Sequence, residues 1–297
     1  MSGAGLVRFR AHAPAMAGLA LLIVLVAGTA GAPLIERMLG IDPTALDLAA
    51  MLNGPSAAHP LGTDDVGRDL LARLLQGGQV SLAVGLMTAL VAAVIGTGVG
   101  IVAGYLGGPV DAFLMRFTDG VIALPLLPLL IVLGALDPAK LGLPAEAFKS
   151  EAGGLVRIVI IIALVGWTTV ARLVRAATLT IRVQDYVRAA EALGARPARI
   201  VLRHVLPNVV SPLIVATTLS IGNIILLESA LSFLGLGVQP PMPSWGNMLT
   251  AALVQMATNP ALAVWPGAMI FVTVLAFNLV GDGLQQALDP RAVRRLG

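Results

Sequence analysis

Long uncharged apolar stretches constrain this chain more than any other feature, because each is long enough to cross a lipid bilayer. A bilayer core takes about 20 apolar residues per helix. We therefore predict an all-α fold, a polytopic membrane bundle of six transmembrane helices. The predicted spans are Ala13–Ile35, Val80–Tyr105, Gly120–Leu136, Gly154–Ala176, Val205–Leu227 and Leu262–Gly281.

The composition excludes several classes of protein. Hydrophobic residues make up 57% of the chain and charged residues 12%, and the mean hydropathy is +0.91, which excludes an ordinary soluble domain. A net charge of +3 and an aromatic content of 4% argue against a nucleic-acid partner. The lack of cysteine excludes disulfides, thiolate metal sites and cysteine nucleophiles. Since the sequence has no P-loop motif, HExxH pair or hydrolytic triad, we expect no catalysis, metal site or cofactor on this chain.

The first span has features of a signal peptide. Arg8 and Arg10 precede it, and Ala30-Gly31-Ala32 resembles a cleavage site. Its apolar run is longer than a signal-peptide core of about 7–15 residues. We therefore interpret the first span as an uncleaved membrane anchor.

Lysine and arginine are distributed unevenly between the two sides of the predicted bundle. The side with more of them is predicted to be the cytoplasm, and six spans then place both termini there. The basic side holds Arg8, Arg10, Arg116, Arg172, Arg175, Arg182, Arg188, Arg196, Arg199, Arg203, Arg291, Arg294 and Arg295. The other side holds Arg37, Arg68, Arg73, Lys140, Lys149 and Arg157. Arg157 and Arg172 are expected to extend toward the two headgroup layers from the ends of the fourth span.

The chain divides into three parts. Residues 1–76 are predicted to form an N-terminal anchor with an outer loop and an interfacial helix, 77–286 the transmembrane core, and 287–297 a cytoplasmic tail. The core includes a polar elbow at 182–207. There Gly194 suits the left-handed end of a helix and Pro197 the first turn of the next one. The pattern predicts a helix–glycine–helix elbow at the cytoplasmic face, before the fifth span.

The elbow resembles the coupling motif of ABC-importer permeases. That motif runs Glu-Ala-Ala, three residues, Gly, nine residues, Ile, any residue, Leu-Pro. The matching residues are Ala189, Ala190, Gly194, Leu206 and Pro207. Arg188 replaces the motif's Glu and His204 its Ile, and both departures resemble the peptide-permease branch. Two further segments resemble the same branch, His59–Gly85 (HPLGTDDVGRDLLARLLQGGQVSLAVG) and Glu228–Arg291 with ESALSFLGLGVQPPMPSWG.

The resemblance is closest to the C-type inner-membrane subunit of the dipeptide/oligopeptide (peptide/nickel) permease family. It implies a type I permease fold with a cytoplasmic coupling helix, in a bacterial inner membrane. It also implies a second homologous permease, two cytoplasmic P-loop ATPases that bind ATP and Mg, and a periplasmic substrate-binding protein. The substrate would be a peptide, with nickel chelates or glutathione as alternatives.

The outer loops carry several local expectations. Thr63 is expected to cap the interfacial helix, in which Asp69 and Arg73 lie one turn apart. The apolar stripe of this helix lies on the membrane surface or against the bundle; it comprises Leu70, Leu71, Leu74 and Leu75. Trp245, in the proline-rich loop Gly235–Gly246, is expected at the interface, in a platform for the binding protein or a rigid connection.

Small and ionisable residues in the spans carry the remaining expectations. Gly96, Gly100 and Gly104 recur every four residues and predict close helix packing. Asp119 and Asp282 are expected to pair with Arg116 or with elbow arginines.

Three residues are candidates for the translocation path. Asn223 and Asn278 either line the path or hydrogen-bond between helices. Glu228 either lines the outer mouth, where it would meet a peptide ammonium group, or is an interfacial carboxylate. His204 is expected to contact a partner or a lipid headgroup.

Two other functions predict different features. An ion-coupled secondary transporter would carry mid-membrane carboxylates and inverted repeats, neither of which we find in the sequence. A scaffold protein would not transport, and its elbow would be an inert docking site.

Overall fold

The computed structural model describes residues 3–142, 148 and 150–288. Within these residues the chain is helical, with one isolated β-bridge between Thr63 and Asp69. The α-helices are α1 (Gly3–Ala11), α2 (Ala13–Ala30), α3 (Ala32–Leu39), α4 (Leu70–Leu106), α5 (Gly108–Ala123), α6 (Leu126–Ala135), α7 (Glu151–Arg182), α8 (Asp185–Ala192), α9 (Pro197–Ile200), α10 (Leu206–Phe233), α11 (Trp245–Gln255) and α12 (Ala261–Leu288). Short 3-10 turns cover Leu48–Ala50 and Pro138–Leu141.

Five helical segments are long and apolar enough to cross a membrane, namely α2, α4, α7, Pro197–Phe233 and α12. The bent pair α5–α6 makes a sixth if it counts as one span. The predicted all-α membrane bundle is confirmed. Lys149, Arg291, Arg294 and Arg295 lie outside the described residues, as does most of the tail at 287–297.

The third predicted span is not one helix. α5 and α6 meet at an angle of 87°. The break follows from Pro125, which lacks an N–H group and forces the preceding Leu124 into an extended conformation with ψ 137°. The predicted third span, Gly120–Leu136, therefore consists of the end of α5 and the whole of α6, joined at Pro125.

The predicted interfacial helix is the beginning of the second span. α4 runs without a break for 37 residues, or about 55 Å. Its N-cap is Asp69, whose carboxylate accepts a 2.8 Å hydrogen bond from the Ala72 N–H, and not Thr63. Arg73 pairs with Asp64 at 3.4 Å, not with Asp69. The leucine stripe packs against the bundle, because Leu70 and Leu74 are buried beside α11.

Close packing of α4 on α7 holds the bundle centre together, as the glycine spacing predicted. A Cβ added to Gly100 would lie 2.6 Å from the Ala171 carbonyl oxygen and 2.7 Å from Val174 Cβ. Gly96 and Gly104 meet α7 in the same way, one turn to either side. Only glycine allows the two backbones to approach this closely.

The hydrophobic core lies between α4, α6, α7 and α10, with Val84, Leu130, Ile162 and Ile225 at its centre. α12 packs between α2 and α10, and α1 lies on α12 through the buried Phe9. The termini of the described chain therefore lie at the same end of the bundle.

Ion pairs at the elbow end of the bundle differ from those predicted. Asp119 pairs with Arg172 of α7 at 2.5 Å, and Arg116 makes no ion pair among the described residues. Arg175 of α7 holds Asp111 of α5 with two hydrogen bonds. These α7 arginines thereby fix α5 to the bundle.

Arg157 and Arg172, expected at the two headgroup layers, bind polar groups of the bundle. Arg157 donates to the Gly134 and Leu136 carbonyl oxygens at the end of α6, and Arg172 donates to the Asp119 carboxylate. The predicted pairing of Asp282 is wrong, because within the described chain Asp282 makes no ion pair.

A valine at Gly100 should destabilise the protein by about 1–3 kcal/mol, because the added atoms overpack the α4–α7 contact. The matched control is Gly98→Val, since a Cβ at Gly98 meets nothing within 4 Å. Thermal unfolding of both variants in the same detergent measures the difference. Equal midpoints for the two variants would show that this contact is not limiting for stability.

Candidate functional site: the elbow and the cavity beside α10

A small apolar cluster holds the elbow against the ends of three long helices. Val187 of α8 and Ile200 of α9 are fully buried with Val174 of α7 and Val205. Ile101 of α4 belongs to the same cluster. The elbow is therefore a packed part of the bundle rather than a loose loop.

Gly194 makes the turn that was predicted for it. Its φ is +76°, in the left-handed region. The Gly194 N–H donates to the Glu191 carbonyl at 2.9 Å, and the Ala195 N–H donates to the Ala190 carbonyl at 3.0 Å. This pair of hydrogen bonds is a Schellman motif, the usual way in which a helix ends at glycine. Pro197 opens α9, also as predicted.

The second arm of the elbow is continuous with the fifth span. α9 passes into a π-helical turn, Val201–Val205, and then into α10. We call the resulting helix, Pro197–Phe233, the long helix; it has 37 residues and is about 55 Å in length. The prediction of a separate short helix before the span was wrong. The elbow and the membrane segment thereby share one continuous helix.

His204 lies in the π-turn and joins the two arms of the elbow. Its ring is 6.0 Å from the Tyr186 ring of α8, centroid to centroid. Its carbonyl accepts a 2.7 Å hydrogen bond from the Asn208 side chain. Such π-turns are frequent at functional sites. His204 thus contacts another part of the elbow and remains partly exposed.

The exposed face of the elbow contains one residue that the sequence analysis missed. Leu193 has 88% of its surface exposed, immediately before the glycine turn. The sequence signal that could have identified Leu193 is an apolar residue among polar ones on an amphipathic helix.

The predicted coupling residues fall into two groups by exposure. Four are exposed, namely Arg188, Ala189, Gly194 and Pro207, and three are partly buried, namely Ala190, His204 and Leu206. The face also carries exposed arginines, at positions Arg196, Arg199 and Arg203.

A cavity of about 500 Å³ lies between α5, α6, α7 and α10. Its lining is mostly aliphatic, with polar groups from Thr169, Ser220 and Asn223. No charged residue lines it within the described chain. Of the three residues predicted for the path, Asn223 lines this space.

A second cavity, of about 730 Å³, lies nearer the elbow between α7, α10 and α12. Pro207 and Asn208 at the base of the long helix line it, together with Gln285 of α12. Asn278 lines neither of these two cavities and is half-buried on α12. The structure therefore does not bring Asn278 together with Asn223.

Two residues predicted at the outer surface are completely buried. Glu228 has 0% exposure, and its carboxylate accepts hydrogen bonds from Ser81 at 3.0 Å and Ser232 at 2.7 Å. It is neither at an open mouth nor at an interface in this structure. Trp245 also has 0% exposure, and its indole N–H donates to the Leu74 carbonyl at 2.9 Å. The segment that contains Trp245 is a packed connection at this point.

Comparison with known proteins agrees with this arrangement. Residues 96–294 match the family described as the binding-protein-dependent transport system inner membrane component. A glutathione transport system permease protein of Pectobacterium atrosepticum is 41% identical over 245 residues, which cover 82% of this chain and 77% of that protein. A glutathione transport system permease protein of Escherichia coli is 42% identical over 239 residues, 80% of this chain and 74% of that protein.

A putative peptide permease protein of Brucella suis is 39% identical over 287 residues, which cover 96% of this chain and 89% of that protein. The family model covers the elbow, the long helix and both cavities. Members of this family act with ATPase and substrate-binding partners, and they are membrane permease subunits rather than enzymes. The chain therefore belongs to the family of binding-protein-dependent transport system inner membrane components and is a multi-pass inner-membrane permease subunit of an ABC importer.

Proposed function

We propose that this permease subunit imports short peptides, and that the elbow couples ATP hydrolysis to the path beside α10. The supporting relatives are named for a peptide and for glutathione, which is itself a tripeptide. The observation that carries the coupling proposal is the continuity of the elbow with the long helix. Nickel chelates, the other substrate class of the wider family, have no support from these relatives.

The cavity beside α10 supports the assignment of a path. Hydroxyl and amide groups from Thr169, Ser220 and Asn223 can hydrogen-bond to a peptide backbone. Because the described lining has no charge, this wall does not select substrates by charge. Selection among peptides then falls to the binding protein.

The proposed assembly has this chain paired with a second, homologous permease, two cytoplasmic P-loop ATPases and a periplasmic binding protein. The exposed arginines of the elbow support a cytoplasmic position for it, and for both termini with it. ATP and Mg bind to the ATPases and not to this chain.

In the mechanism that we propose, an ATPase groove receives α8. Leu193 fills an apolar pocket of that groove, and the arginines around it meet acidic side chains. Closure of the two ATPases on ATP moves α8, and the buried Val187–Ile200 contact passes the displacement to the long helix. Since Asn223 lies on that helix, the wall of the path moves with it. ATP thus shifts the population between inward-facing and outward-facing states by binding one of them more tightly.

Affinity purification from native membranes tests the proposed assembly. We expect to recover a second permease with P-loop ATPases, and to measure ATP-dependent uptake of radiolabelled dipeptide or glutathione in proteoliposomes with the binding protein. Recovery of the chain alone, stable and active with an ion gradient, would contradict the proposal in favour of a secondary transporter.

Gly194→Val should uncouple transport from ATP hydrolysis. The side chain meets nothing within 4 Å, so the cost is backbone strain at φ +76°, about 1–3 kcal/mol. Gly194→Asn is the matched control, because asparagine tolerates the left-handed conformation. Uptake per ATP hydrolysed, at equal membrane expression, measures the effect. Normal uptake by Gly194→Val would show that the turn is not needed for coupling.

Leu193→Ala should weaken the binding of the ATPases to the permease by a factor of about 30 or more, as expected for an exposed anchor of about 2 kcal/mol. Leu193→Met keeps an apolar side chain and should bind almost normally. The ATPase affinity of detergent-solubilised permease, measured by biolayer interferometry, compares the variants. Wild-type affinity of Leu193→Ala would exclude Leu193 as the anchor.

A further inference from the structure

A completely buried carboxyl group lies at the end of the long helix opposite the elbow. Glu228 has 0% exposure, five residues before the helix ends at Phe233. No lysine, arginine or histidine nitrogen of the described residues lies within 4.0 Å of its carboxylate. Its partners are serine hydroxyls, two from the long helix, Ser229 at 3.4 Å and Ser232 at 2.7 Å, and Ser81 from α4 at 3.0 Å. The hydroxyl of Ser244, just before α11, also interacts with the carboxyl group.

Two of these serines extend the network to the segment that leads into α11. The Ser232 hydroxyl donates to Glu228 and accepts a 3.0 Å hydrogen bond from the Val238 N–H. The Ser81 hydroxyl donates to Glu228 and accepts a 3.3 Å hydrogen bond from the Trp245 N–H. The carboxyl group therefore orients both hydroxyls so that their lone pairs face the N–H groups of Val238 and Trp245.

α11 is held tightly to the same end of the long helix. Thr250 of α11 donates to the Phe233 carbonyl at 2.8 Å. A Cβ at Gly246 would lie 2.5 Å from the Ser229 carbonyl oxygen, so the two backbones are in direct contact. Neither the segment nor α11 can shift without disturbing the hydrogen bonds around Glu228.

Burial of a carboxyl group is costly, and hydroxyl partners offset that cost only while all of them are in place. The network is therefore sensitive to small displacements between the long helix, α4 and α11. Glu228 lies about 45 Å along the long helix from Pro197, where the second arm of the elbow begins. This position suits a group that transmits motion from one end of the permease to the other.

We propose that Glu228 is the positioning residue that couples the long helix to α11, so that the outer face of the permease moves in step with the elbow. This inference rests on the proposed function, because it takes the elbow to be the driven end. The carboxyl group acts through Ser81 and Ser232 and does not touch the substrate.

Spin-label distances in the assembled transporter test this proposal. The chain has no cysteine, so Met38→Cys in α3 and Val254→Cys in α11 supply two unique labels in a cysteine-free partner background. Both side chains are exposed, at 78% and 84%. We expect the distance between the labels to change when the complex is trapped with ATP and vanadate. Glu228→Gln, which replaces one carboxylate oxygen by a donor, should abolish that change.

Activity in proteoliposomes separates coupling from folding. Glu228→Gln should keep basal ATP hydrolysis but lower uptake per ATP by about tenfold, within the range of ordinary coupling free energies. Ser81→Ala, which removes the hydrogen bonds that join α4 to Glu228 and to the Trp245 N–H, should also lower uptake per ATP. The control is Thr218→Val, which removes a hydroxyl of the long helix whose hydrogen bond, among the described residues, is to the Ile214 carbonyl of the same helix.

Each outcome decides between the proposals. A wild-type distance change and wild-type uptake in Glu228→Gln would overturn the role of Glu228 and leave the proposed function intact. If Glu228→Gln does not assemble, Ser81→Ala decides, and its normal uptake and distance change would overturn the role. A wild-type complex that neither hydrolyses ATP nor imports peptide would instead contradict the proposed function.

Discussion

The close contact of α4 with α7 is the constraint on which the rest of the structure depends. Between helices in lipid there is no hydrophobic driving force, so van der Waals packing of small residues supplies much of the stability. The glycines of α4 provide that packing over the elbow half of the helix. At the end of α7, Arg182 donates to the Gly104 and Tyr105 carbonyls of α4 at 3.1 and 3.2 Å, where helix carbonyls lack partners. The α4–α7 pair is thus a fixed frame for both the elbow and the long helix.

The cavity between α5, α6, α7 and α10 has one unbroken wall and one broken wall. One wall is the long helix, whose backbone continues from the elbow through the π-turn and past Pro212. The other wall is interrupted at Pro125, where α5 and α6 meet at 87°. Arg172 and Arg175 fix α5 to α7, and Arg157 fixes the end of α6 to α7. A broken wall joined to α7 by arginines therefore faces an unbroken wall that continues into the elbow.

Features set by local sequence were predictable, whereas features set by distant contacts were not. The apolar runs located the membrane helices, and Gly194 and the spaced glycines of α4 have the conformations and contacts expected of them. Pro125 is a local signal for a helix break, but the length of the apolar run around it favoured a single span. By contrast, the burial of Trp245 and Glu228 depends on partners 171 and 147 residues away. A single sequence does not show which face of α4 meets Trp245 and Glu228. Because both lie near the ends of spans, they were assigned to the interface.

A carboxylate suits the Glu228 site better than an apolar residue would, although it is costly to bury. Its two oxygens accept the hydroxyl protons of Ser81 and Ser232, so both serines donate inward. The lone pairs of Ser81 and Ser232 are then turned toward the N–H groups of Trp245 and Val238. With an apolar residue at this position the serine hydroxyls would lose their common acceptor and could rotate to donate elsewhere. Two buried backbone N–H groups would then lack a fixed acceptor, which is more costly than the net gain from one hydrogen bond. The carboxylate therefore determines a single arrangement of α4, the long helix and α11.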